Sequence, residues 1–216
     1  MRPLICFDWD GTLADSMNLC ITEIRETLLE MKLPVPPNDV LTQCNGPTFE
    51  GTVDILHVPR NRTEEYMQIR QQKELSLVPE VNRLFPGIRE MLDALRPMAD
   101  LCIVSNGTTE YISLCLRTFR LTDVFTHVVT SLPGCTKSDR LRSLLTETQP
   151  ALAVMVGDRL GDIKAGADNH LPTIAACYGF GNDEEYNQAT ARAESVASLQ
   201  AMLTDFCQRG ETSLHS

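Results

Sequence analysis

The sequence predicts an α/β fold: a doubly wound parallel sheet interrupted by a small helical insertion. Short apolar runs recur along the chain, amphipathic helical stripes separate most of them, and one long interval breaks the alternation. Five runs read as buried parallel strands: Leu4-Ile5-Cys6-Phe7, Leu101-Cys102-Ile103-Val104, His127-Val128-Val129-Thr130, Ala153-Val154-Met155-Val156 and Thr173-Ile174-Ala175-Ala176. The stripes Ile88/Met91/Leu92/Leu95 and Ile112/Cys115/Leu116/Phe119 follow the i, i+3, i+4, i+7 spacing of a helix packed on a sheet. Leu141/Leu144/Leu145 begins another, and Leu199/Met202/Leu203/Phe206 forms the last.

The interval between the first and second runs is far longer than a crossover needs. It contains its own stripe, Ile21/Ile24/Leu28/Met31, then a break at Pro34, Pro36 and Pro37, then a Glu-, Gln- and Lys-rich helix over Thr63–Leu77. Residues 16–82 are therefore expected to form a separate helical unit. Residues 1–15 and 83–216 form the core, with Pro86-Gly87 marking the return. The segment Gly210–Ser216 is expected to fray.

Length and composition set limits. The 216 residues are 43% hydrophobic, enough to bury a core, so a disordered chain is excluded. Lys and Arg number 19 against 29 Asp and Glu, a formal charge of -10. That excess counts against broad nucleic-acid binding and against docking on anionic membranes. The opening apolar stretch is too short for a secretory h-region, and no run approaches a membrane span, so a cytoplasmic protein is expected. The eight cysteines form no CxxC pair and read as reduced, mostly buried small hydrophobes.

Ligands of open α/β sheets bind beyond the carboxyl ends of the strands. The first run is followed by Asp8-Trp9-Asp10-Gly11-Thr12, the second by Ser105-Asn106-Gly107, and the fourth by Gly157-Asp158-Arg159-Leu160-Gly161-Asp162. Lys137 opens a helix beyond the third. Four carboxylates brought to one sheet edge repel one another, and a hard divalent cation such as Mg²⁺ relieves this with oxygen ligands. Asp8, Asp10, Asp158 and Asp162 are the expected ligands. Asp162 has the alternative of orienting a metal-bound water or Lys137.

The chemistry that suits this set is phosphoryl transfer. Asp8, directly off its strand, is the expected nucleophile. Asp10 is the expected general acid and base. Lys137 offsets the anionic charge, and Ser105 and Asn106 hold the phosphoryl oxygens.

The ordered set Asp8-Trp9-Asp10-Gly11-Thr12-Leu13-Ala14-Asp15-Ser16, Ser105, Lys137 and Asp158…Asp162 resembles the four motifs of the haloacid dehalogenase superfamily. Pro172 to Gly181 is similar to its phosphoglycolate-phosphatase-like branch. The resemblance implies a Rossmann-like core, a Mg²⁺ cofactor, an aspartyl-phosphate intermediate and a mobile helical cap over 16–82. A small phosphorylated metabolite would be the partner of a monomer or homodimer. Ser138-Asp139 after Lys137, Arg159 after Asp158, and Asn169-His170 depart from the family pattern, and Arg159 adds a positive charge near the site. The expected activity is hydrolysis of small phosphate monoesters. A phosphomutase of the β-phosphoglucomutase type and a non-catalytic binding protein are the alternatives.

Overall fold

A computed structural model describes residues 2–213. Its strands are β1 (Leu4–Phe7), β2 (Ala14–Asp15), β3 (Arg83–Leu84), β4 (Asp100–Val104), β5 (His127–Val129), β6 (Ala153–Gly157), β7 (Thr173–Ala176) and β8 (Ala191–Ala193). Its helices are α1 (Met17–Glu30), α2 (Asn38–Leu41), α3 (Phe49–Ile55), α4 (Thr63–Val81), α5 (Ile88–Leu95), α6 (Thr109–Thr118), α7 (Lys137–Thr148), α8 (Leu160–Asp168), α9 (Asp183–Tyr186) and α10 (Val196–Ser213).

Six strands form one sheet in the order β5-β4-β1-β6-β7-β8, every neighbouring pair parallel. β1 lies inside the sheet because it is apolar on both faces. Ile5 and Phe7 pack with Met91, Leu92, Ile112 and Leu203, whereas Leu4 and Cys6 pack with Leu141, Leu144 and Ala165. Helices therefore cover both faces, which is why the strand reads as a continuous apolar run and not as an alternation. The winding proceeds outward from β1 through β4 to β5, then restarts on the other side with β6. That reversal opens a crevice at the carboxyl end of β1, β4 and β6.

The structure alters three expectations. The strand at His127 is an edge strand with Val128 41% exposed, so one face of it is not buried. β8 is a sixth sheet strand with no apolar run to announce it, because Arg192 occupies its centre. Helix α10 runs on to Ser213 where fraying was expected from Gly210, and residues 214–216 lie outside the described set. All eight cysteines are free, with Cys135 exposed.

Helices α1 to α4 occupy the long interval. Their own apolar cluster includes Ile24, Leu28, Met31, Leu41, Val53 and Tyr66. The antiparallel pair β2–β3 ties the two chain crossings together at the base, with Ala14 opposite Leu84. Leu19 and Val78, near that base, belong to the sheet's own core. Inside the insert, Arg70 donates to Glu23 Oε1 from Nε at 2.9 Å and from Nη2 at 2.7 Å, joining α4 to α1. Removing one partner of such a buried pair costs about 3–5 kcal/mol.

Helix α8 approaches the sheet so closely that a side chain at Gly166 would overlap Thr173 Cγ2 and crowd Met155 Cβ. Thr173 is β-branched and cannot swing away. Gly166→Ala is expected to lower stability by about 1–3 kcal/mol, read as a drop in the midpoint of thermal or urea unfolding.

Candidate active site

The site is built from three strand ends. Asp8 continues the β1 ladder, its N–H donating to the Val156 carbonyl at 2.8 Å, so its backbone is fixed as firmly as the strand itself. Its Oδ1 accepts from the Trp9 N–H at 2.8 Å. The chain then curls: the N–H groups of Leu13 and Ala14 both return to the Trp9 carbonyl at 2.9 Å. Gly11 sits in the left-handed region at φ 78°, and a Cβ there would overlap the Asp158 carboxylate. The glycine is what lets the first loop lie against the end of β6.

Asp158 follows β6 and is fully buried. Its Oδ2 accepts from the Phe180 N–H at 2.8 Å, and the Thr12 hydroxyl lies 3.5 Å from Oδ1. Asp162 stands in the first turn of α8, where its Oδ2 accepts from the Arg159 N–H at 3.0 Å. Its Oδ1 receives Lys137 Nζ at 2.5 Å, and the same ammonium lies 3.0 Å from Asp8 Oδ1. Lys137 comes from the first turn of α7, whose Thr136/Asp139 capping box sets where the helix begins.

Carboxylate oxygens of Asp8, Asp158 and Asp162 lie within 4.8 Å of one another. Three buried carboxylates thus share one buried ammonium. Burial, with Asp162 repulsion next, pushes Asp8 up to about 7 against the pull of Lys137. Burial and the charges of Asp162 and Asp8 hold Asp158 well above the usual carboxylate range. Lys137 is held protonated, because Asp162 and Asp8 outweigh the cost of its burial. The donor set fits a hard divalent cation: all oxygen, anionic, clustered and under-compensated.

The Asp10 carboxylate lies beside this trio and is not part of it. Its Oδ1 accepts from the Tyr111 hydroxyl at 2.6 Å. Burial raises its pKa while hydrogen bonds from Ser16 and Tyr111 oppose the rise, a setting suited to carrying a proton.

Ser105 is buried at the end of β4, with Oγ accepting from the Gly107 N–H at 3.0 Å. The Asn106 amide nitrogen donates to the Gly46 carbonyl at 3.0 Å, and its oxygen accepts from Arg140 at 2.6 Å. Both ends of that side chain hold protein and tie the insert's loop to the sheet edge. Arg159 is engaged in the same way. Its Nη1 donates to the Asn45 carbonyl at 2.9 Å, and its Nε lies 3.3 Å from Glu185.

These contacts bring Asn45, Gly46 and Pro47 over the sheet edge. They close a cavity of about 50 Å³ that is also lined by Asp8, Asp10 and Ser105. Arg140 is a residue the motif reading overlooked. Its Nη1 donates to the carbonyls of Ser105 and Thr130, bracing the loop that carries Ser105. The only sign in the sequence is its i+3 spacing from Lys137, which puts both on one face of α7.

A family model described as "Haloacid dehalogenase-like hydrolase" matches residues 5–176. The tyrosine-protein kinase PtkA of Mycobacterium tuberculosis is 29% identical over 93% of this chain and 72% of its own. The phosphoglycolate phosphatase of Synechococcus elongatus is 28% identical over 84% and 86%. The fold is shared with a haloacid dehalogenase-like hydrolase from Streptococcus pneumoniae (TM-score 0.84, 23% identity, 92% and 97% covered). It is shared as well with the solved structure of PtkA (TM-score 0.78, 26% identity, 94% and 98% covered). The chain belongs to the haloacid dehalogenase-like hydrolase family. Within it, the chain is an enzyme of the phosphoglycolate-phosphatase-like kind.

Because Arg140 satisfies two carbonyls and the Asn106 amide, Arg140→Ala is expected to cost about 1–3 kcal/mol of stability. It is also expected to lower turnover by at least about tenfold through a looser Ser105 loop. Unfolding midpoints and kcat measured on the same preparation check both.

Proposed function

We propose that the protein is a Mg²⁺-dependent phosphatase acting on small phosphate monoesters through an aspartyl-phosphate on Asp8. The observation that carries this reading is Lys137 Nζ seated between Asp8 and Asp162, beside the trio of buried carboxylates. Asp8, Asp158 and Asp162 would hold the cation, which when bound neutralises anionic charge on the carboxylates and the phosphoryl group.

The remaining chemistry belongs to the chain. Asp8 attacks phosphorus as the bond to the ester oxygen breaks, and Asp10 gives that oxygen its proton. A water then attacks the phosphorus of the aspartyl-phosphate, Asp10 takes back a proton, and the Asp8 carboxylate is released with inorganic phosphate. Lys137, held by Asp162, offsets charge on Asp8 and the phosphoryl oxygens throughout. The Ser105 hydroxyl holds one of those oxygens. Residues 16–82 act as the cap. The contacts of Asn106 and Arg159 with the 45–46 loop describe its closed position, and release of those contacts admits substrate.

The name of the mycobacterial relatives raises a second phosphoryl acceptor, a tyrosine hydroxyl. The cavity of about 50 Å³ favours a small ester over a tyrosyl side chain.

Asp8→Asn is expected to lower phosphate release from a small ester by at least about 10³-fold while the far-ultraviolet circular dichroism stays unchanged. Excess EDTA is expected to bring the wild-type rate to background, with recovery on adding Mg²⁺. Near-native activity in either experiment overturns the reading.

A further inference from the structure

The cavity over Asp8 has a roof as well as a floor. The floor is the sheet edge, with Asp8, Asp10 and Ser105. The roof is the inner face of α1 and α4, with Leu19, Cys20, Glu23, Arg70 and Glu74. Glu23 and Glu74 are 2% and 5% exposed, and nothing in the hydrolytic steps uses them. Arg70 is turned toward protein groups: Nε and Nη2 go to Glu23 Oε1, and Nη1 goes to the Thr52 hydroxyl at 2.9 Å and the Tyr66 hydroxyl at 3.3 Å. The second carboxyl oxygen of each glutamate, Glu23 Oε2 and Glu74 Oε2, is sealed from solvent with no hydrogen-bond partner.

Buried side-chain acceptors are nearly always satisfied, and an unsatisfied one calls for an explanation. Here two such acceptors belong to residues that line one cavity, beside the reacting centre. The roof also carries two carboxyl groups against one guanidinium. Burial pushes Glu23 up to about 7 and Glu74 well above the usual range, as expected of acceptors lacking their donors.

We propose that Glu23 and Glu74 form the acceptor wall of a leaving-group subsite, so that the preferred ester carries hydrogen-bond donors, hydroxyl or ammonium, within a few atoms of its ester oxygen. The proposal rests on the phosphatase reading and adds the substrate class. A leaving group bearing a carboxylate meets two carboxyl groups that offer it no positive charge, and Arg70 answers it only by giving up Glu23, Thr52 or Tyr66. A site built to bond donors discriminates steeply against a partner lacking them, because its buried acceptors are left unpaired. This roof therefore disfavours phosphoglycolate, the substrate in the names of several relatives.

The test compares kcat/KM for phosphate release from phosphoglycolate, glycerol phosphate and ethanolamine phosphate, with Mg²⁺ present. At least one donor-bearing ester is expected to exceed phosphoglycolate by about tenfold or more. Glu74→Gln keeps the volume and replaces one carboxyl oxygen with an amide donor, and it leaves the Arg70–Glu23 pair in place. It is expected to lower that ratio by about tenfold, measured within one preparation so that general damage cancels. Phosphoglycolate turned over as well as or better than both other esters overturns the proposal. So does an unchanged ratio in folded Glu74→Gln, which would mean that the two oxygens face ordered water only. If the variant does not fold, the wild-type comparison decides alone. Failure of the phosphatase reading looks different: no phosphate from any of the three esters, nor from acetyl phosphate.

Discussion

Asp8, Asp158 and Asp162 lie within 4.8 Å of one another with a single lysine among them, and the surrounding structure is arranged around that concentration of charge. Carboxylates so close and so buried would separate or protonate if their backbones were free. Each backbone is instead held by the most rigid part of the fold. Asp8 is on the central β1 ladder, Asp158 is at the end of β6 with Phe180 N–H on its oxygen, and Asp162 is in the first turn of α8. The cost of holding them is met by packing on both faces of the sheet, where Ile5, Phe7, Leu4 and Cys6 are all buried.

The same rigidity shapes what lies above. A sheet edge that repels itself attracts cations and hydrogen-bond donors, and the insert arrives with carbonyls for the edge to grip. Asn106 and Arg159 reach the carbonyls of Gly46 and Asn45, so the 45–46 loop is held by groups already anchored in the core. Arg140 completes this arrangement from beneath. It holds the Ser105 and Thr130 carbonyls and the Asn106 oxygen at once, coupling the Ser105 loop to the residue that grips the insert. Floor and roof then meet across a space small enough that every polar atom facing it matters to the choice of substrate.

Much of the core is legible in the sequence because its signals are local. β1, β4, β6 and β7 are apolar on both faces, so their runs stand out without any knowledge of their neighbours. β8 escapes such a reading because Arg192 sits in its centre and its pairing with β7 depends on a partner in space. β5 reads as buried because Val128 is apolar, although its place at the sheet's edge leaves that side chain exposed. Asp8, Ser105, Lys137, Asp158 and Asp162 are legible because each stands a short way past the carboxyl end of a strand, where the topology of an open α/β sheet gathers ligands. Asn106 and Asp10 are in the expected places, and what the sequence does not record is that their side chains also bond partners far along the chain, Gly46 and Arg140 in one case and Tyr111 in the other.

The sequence by itself determined the sheet, the long helical interruption and the residue types available to the chemistry. These come from patterns of a few residues and from the rule that ligands gather where parallel strands end. Tertiary structure alone decided how those residues divide the work. Glu23 and Arg70 are 47 positions apart, and Arg159 and Asn45 are 114 apart. No local pattern records such pairs, because they exist only once two helices pack and a loop closes on the sheet. The acidic roof of the cavity is of that kind: two ordinary helical glutamates until packing removes their water.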